Sequence, residues 1–76
     1  AVADVERELE TDLSAAELEV AMLALSGASN VEIARARDVS VNTVANQLRS
    51  VFARTGTSSR AELAALVSRR AALRAR

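Results

Sequence analysis

Seventy-six residues, half of them hydrophobic, suffice for one small domain and leave no room for a second core. Cysteine and histidine are both absent, which excludes disulfides, thiolate and imidazole metal sites, and every catalytic arrangement built on a Ser/His or Cys/His pair. The net charge of zero conceals a segregation: residues 1–19 carry seven acids and one arginine, and residues 20–76 carry nine arginines and three acids. An acidic arm ahead of a basic body suits a polyanionic partner, although two ordinary solvated faces would look the same.

In chain order, residues 1–12 read as the acidic arm or a linker, in which Val2, Val5 and Leu9 keep a helical spacing amid charge. The first predicted helix covers 14–26. It opens on Ser14 and Glu17, a capping box in which the serine oxygen accepts an amide of the first turn and the glutamate returns to the cap's own amide. Its apolar stripe is Leu18, Met22 and Leu25, with Val20, Leu23 and Ala24 beside it, and Gly27 closes it where a left-handed residue is needed. A second helix over 30–37 starts on the same box, Ser29 with Glu32, and offers Val31, Ile33 and Ala34 to the core. Ser40 caps a third over 41–55, with Val44, Leu48, Val51, Phe52 and Thr55 on one face and Gly56 at its end. A third box, Ser59 with Glu62, opens a fourth over 59–72 that carries Leu63, Leu66, Val67 and Leu73. Arg69, Arg70, Arg74 and Arg76 make residues 69–76 a basic tail, either a phosphate-binding extension or cations well placed on a helix dipole. No strand pattern competes. The longest uncharged stretch, Val20 to Val31, has 12 residues and cannot span a bilayer, so no membrane role is expected. The alanine start fits either a trimmed start or a segment of a longer protein, and the second is the expectation.

The side of the third helix opposite its apolar face holds Asn42, Ala45, Asn46, Arg49 and Ala53, flanked by Thr43, Gln47, Ser50 and Arg54. It contains no acid. Amides, small residues and arginine are the side chains that pair with base edges and thymine methyl groups in a major groove, and the short preceding helix with its tight connection completes a helix-turn-helix outline. A solvated face on a small bundle has the same composition. An enzyme lacks the material: paired carboxylates would work without histidine, lysine or tyrosine, and the two glycines are too far apart to cradle a phosphate. No catalysis and no cofactor are expected.

Leu13-Ser14-x-x-Glu17, Gly27, Ser29-Asn30-x-Glu32-Ile33-Ala34, Ser40-x-x-Thr43-Val44 and Gly56-x-x-Ser59-Arg60-Ala61-Glu62-Leu63 occur in order and in spacing. With them, Leu13 to about Val67 resembles the LuxR-type (NarL-type, GerE-like) helix-turn-helix domain of bacterial transcriptional regulators. The resemblance implies an all-α, four-helix domain over 13–68 behind the acidic arm, acting on double-stranded DNA in the bacterial cytoplasm, at the nucleoid, as the output domain of a response regulator or similar protein. Its third helix would enter the major groove, with Ala45, Asn46 and Arg49 at the family's base-contacting positions and Asn42 beside them on the same face. Ser29, Asn30, Ser40 and Thr43 at the helix starts, with Gln47 and Arg54, would meet phosphates, as helix N-termini and hydroxyls do. The fourth helix would pair two copies weakly through Leu63, Leu66 and Val67, and RNA polymerase is a further expected partner.

The chain departs from the family at Ala45 and Gln47, where lysine and histidine are common, and at Ala21 and Thr55, where leucine is usual; Phe52 is expected to fill that space. Two alternatives stand beside the resemblance: a helix-turn-helix turned to protein interaction, and the promoter-reading end of a sigma factor, against which Gly56 to Leu63 argues. The arm has two readings of its own. Its tethered acids compete with phosphate for Arg49 and Arg54, or it is a passive linker.

Overall fold

A computed structural model describes residues 2–75, with side chains from Val5 to Ala75; Arg76 and the side chain of Val2 lie outside the described residues. The elements are α1 (Val2–Leu9), α2 (Ala15–Leu25), α3 (Asn30–Arg37), α4 (Val41–Thr55) and α5 (Arg60–Arg74), with no strand among the described residues. Four of these are the predicted helices. The fifth, α1, forms from the segment read as an arm.

Four serines set the starts. The hydroxyl oxygens of Ser14, Ser29, Ser40 and Ser59 each accept the amide three residues on, at 3.0–3.2 Å. Glu17 and Glu32 complete their boxes by accepting the amides of Ser14 and Ser29 at 2.9 and 2.8 Å. The third box is half made: Glu62 accepts the amide of Ser58 at 2.9 Å, one residue before the cap. α2 and α4 are closed by a left-handed glycine and a six-to-one bond. Gly27 and Gly56 have φ of +99° and +69°, and the amides of Ala28 and Thr57 donate to the carbonyls of Leu23 and Phe52. Nothing lies within 4 Å of a Cβ built on Gly56, so Gly56→Ala meets only the backbone penalty. We expect a loss of about 1 kcal/mol and a melting midpoint lower by roughly 4–8 °C, measurable by circular dichroism.

Packing divides the core into two clusters that share α2 and α4. Leu9, Leu13, Ala21, Val51, Leu63 and Val67 form one, and Val20, Ala24, Ile33, Ala34, Val44 and Leu48 form the other; Phe52 packs against both. The stripe predicted for α2 differs from the buried one. Its buried positions are Glu17, Val20, Ala21 and Ala24, while Leu18, Met22, Leu23 and Leu25 are half-buried. Between Leu18 and Leu25 only Glu19 is polar, so periodicity alone does not choose a face, and the small residues mark where neighbouring helices come closest. Val31 is 46% exposed and Leu73 66% exposed, so neither is a core residue. Thr55 stays half-buried by donating its hydroxyl to the carbonyl of Val51 at 2.8 Å.

α1 is a structural element held on α5 and α2. Leu9 is fully buried, and the buried Glu8 carboxylate takes Nε and Nη2 of Arg74 at 2.9 and 3.2 Å. Arg70 donates to the Glu8 carbonyl at 2.9 Å and to the Asp12 carboxylate. Two of the arm's acids therefore answer arginines of α5, where the sequence suggested Arg49 and Arg54, and the supposed basic tail supplies the last turns of α5. The same packing bears on pairing: Leu63 and Val67 are buried in the domain's own core, so of the three residues read as a pairing surface only Leu66 keeps accessible area.

Candidate nucleic-acid interface

Three residues, Asp38 to Ser40, join α3 to α4. Asp38 takes the left-handed conformation at φ +55°, which a short polar side chain tolerates better than most, and the amide of Val39 closes the turn on the carbonyl of Ala34 at 3.0 Å. Ser40 then caps α4 at once. α4 seats Val44, Leu48 and Val51 against α2 and α3, and the helical period turns the other side outward. Asn42, Asn46, Arg49, Ala53 and Arg54 are exposed there, with Thr43, Ala45, Gln47 and Ser50 half-buried at its margins.

The outward side chains are partly organised among themselves. Arg49 donates from Nη1 to Oδ1 of Asn46 at 2.9 Å, which ties two base-reading candidates one turn apart into a pair. Asn46 thereby presents its amide nitrogen, while Arg49 keeps further donors for a guanine edge. Among the phosphate candidates, the hydroxyl oxygens of Ser29 and Ser40 each accept one helix-cap amide, and the hydroxyls of Ser40 and Thr43 lie 2.9 Å apart. Asn30 is also committed within the fold. Its Oδ1 accepts Nη2 of Arg60 at 2.7 Å, leaving the amide nitrogen for a phosphate.

The sequence alone does not single out Arg60 as a functional residue. From the first position of α5 it donates to the carbonyls of Ala28 and Ala24 as well as to Asn30, so it binds the end of α2, the start of α3 and the start of α5 together. One signal points to it. A cation at the positive end of its own helix dipole is misplaced locally, and the carbonyl end of α2 supplies the missing attraction.

Glu17 reads in sequence only as a cap. Beyond its box with Ser14, its carboxylate accepts the Ser50 hydroxyl and faces Nε of Arg54 at 3.1 Å. The Ser50 hydroxyl first, then the bonds to Ser14 and the charge of Arg54, hold its pKa below the ordinary 4.5 against the opposing effect of burial. A carboxyl with a lowered folded pKa adds stability above its unfolded pKa, and that stability is lost as pH falls through the folded value. The Glu17→Gln variant is therefore expected to lose less of its melting midpoint than the parent between about pH 5 and pH 3; equal losses would show that the contacts of Glu17 do not favour its charged form.

The model for bacterial regulatory proteins of the luxR family (GerE) matches residues 11–67, three quarters of the chain. The chain belongs to the LuxR family. A relative, the monoamine regulon transcriptional regulator of Klebsiella aerogenes, is 43% identical over 58 residues, which is 76% of this chain and 26% of that protein. The chain thus spans about a quarter of that relative's length. No solved structure matches it significantly. The LuxR-family match takes in α2, α3, α4 and the first half of α5, and it leaves out α1 together with Arg70 and Arg74, which hold α1 in place.

Proposed function

We propose that this LuxR-family domain reads duplex DNA by sequence, with α4 in the major groove, as part of a bacterial transcriptional regulator working at the nucleoid. The observation that carries the reading is the outward face of α4, which has amides, small residues and arginines and no carboxylate of its own. The transcriptional role named for the Klebsiella aerogenes relative agrees with it. Asn42, Ala45, Asn46 and Arg49 then face base edges, Ala45 offering a methyl group to thymine. Ser29, Asn30, Ser40, Thr43, Gln47 and Arg54 flank them toward the two phosphate backbones. Two copies meet weakly through α5, using Leu66 and its exposed neighbours rather than Leu63 and Val67, and occupy half-sites about one helical turn apart.

Titration of a random-sequence duplex pool, followed by selection, tests the reading. Binding should weaken steeply with added salt, with a log-log slope near −0.9 per phosphate neutralised, and selection should enrich a defined sequence. Failure to bind any duplex at low salt would overturn it and favour a protein-interaction role for the same face.

A further inference from the structure

Along one flank of α4 runs a cleft against the start of α2, lined by Ser14, Glu17, Thr43, Gln47, Ser50 and Arg54 among others. Two of its features are not accounted for by folding. The Oε1 atom of Gln47 is buried there without a hydrogen-bond partner, a condition that native interiors rarely leave unexplained. Arg54, 57% exposed at its side chain, meets the buried carboxylate of Glu17 through Nε, the inner nitrogen of the guanidinium. With Nε nearest the carboxylate, the end-on edge formed by the two terminal nitrogens is left for another anion.

We propose that Glu17 is a positioning residue for DNA: its carboxylate, fixed in place by the α2 cap, grips Arg54 by Nε and aims the terminal nitrogens at a backbone phosphate seated over this cleft. Glu17 touches no ligand itself. It is held from behind by the amide of Ser14 and from the side by the hydroxyl of Ser50, so the long arginine stem is anchored at a point that belongs to α2 as well as α4. The hydroxyl of Thr43 and the amide of Gln47 lie along the same cleft. With Oε1 buried, the NH2 of the Gln47 amide is the group that side chain has to offer the phosphate as a second donor. An unanchored Arg54 would contribute only screened charge, whereas an anchored one loses less side-chain entropy on binding. The proposal rests on the reading of the domain as a DNA binder.

The experiment measures binding of the full chain to a random-sequence duplex over a salt series, for the parent, Arg54→Ala, Glu17→Gln and the double variant, each first checked for folding by circular dichroism. Arg54→Ala should lower affinity by about three-fold or more at low salt and flatten the log-log salt slope by about 0.9. Glu17→Gln can keep Ser14 and Ser50 as partners but loses the charge that faces Nε. It should bind no more tightly than the parent despite its extra unit of positive charge, and adding Arg54→Ala to it should change affinity by less than about two-fold. Tighter binding by Glu17→Gln, or a full Arg54→Ala penalty in its presence, would overturn the proposal while leaving DNA binding intact; no binding by the parent would instead remove the functional reading beneath it. Should Glu17→Gln fail to fold, Arg54→Lys decides. A lysine ammonium lacks the planar fork that offers separate nitrogens to Glu17 and to a phosphate, so the variant should bind less tightly than the parent, and restoration of parental affinity would overturn the clamp.

Discussion

Replacing Leu9 by alanine is expected to lower the unfolding free energy by about 2–5 kcal/mol, the usual cost of emptying a fully buried leucine site. A domain of this size commands only on the order of 4–11 kcal/mol in total, so the variant should melt at least about 10 °C lower and populate unfolded chains at body temperature. Leu9 touches nothing in the proposed DNA-binding face; it fills the cluster of Leu13, Ala21, Val51, Leu63 and Val67. Leu73→Ala serves as the matched control, because that side chain is 66% exposed and its loss should stay within about 0.5 kcal/mol. Removing residues 1–12 should resemble Leu9→Ala and should not simply strengthen DNA binding. A Leu9→Ala domain that melts within a few degrees of the parent would show that α1 is no part of the core.

Arg49→Ala should separate sequence reading from charge. If the guanidinium spans the edge of a guanine, its loss costs about 1–3 kcal/mol of discrimination, which is roughly 5- to 150-fold in affinity for a selected sequence, with a much smaller effect on a scrambled duplex. Arg54→Ala should weaken both duplexes alike. The Asn46 partner makes a second comparison available: since Arg49 donates to Asn46 at 2.9 Å, losses from Asn46→Ala and Arg49→Ala should not add. Equal losses on selected and scrambled DNA for Arg49→Ala would move that residue from the bases to the backbone.

Helices and their limits were legible because serine caps and glycine stops are local chemistry. Ser14, Ser29, Ser40 and Ser59 each bond an amide three residues away, and no long-range information is needed to foresee that. The outward face of α4 followed from the inward one by the helical period alone. What stayed hidden depends on distant partners. Glu8 and Asp12 looked like free charge until Arg74 and Arg70, some sixty residues on, were beside them. Val67 looked like spare apolar surface because α1 had no recognised place. Asp38 carries no signal as a left-handed residue comparable to Gly27 and Gly56, and Glu17 gives no hint in sequence that its carboxylate reaches Ser50 and Arg54 on α4. In each case the residue type was read correctly and its partner was not.

Phe52 is the only aromatic residue of the chain, and it packs against both core clusters. Each cluster is built of six aliphatic side chains. A ring shared between them makes loosening of one withdraw contacts from the other. Opening of the helix-turn-helix half and of the half that contains α1 and α5 is thereby coupled, so amide protons in α3 and in α5 should exchange with solvent through one global event rather than two local ones. The rigidity with which α4 is presented thus depends on packing at the far end of the molecule, transmitted through Phe52 and through α2 and α4, which supply residues to both clusters.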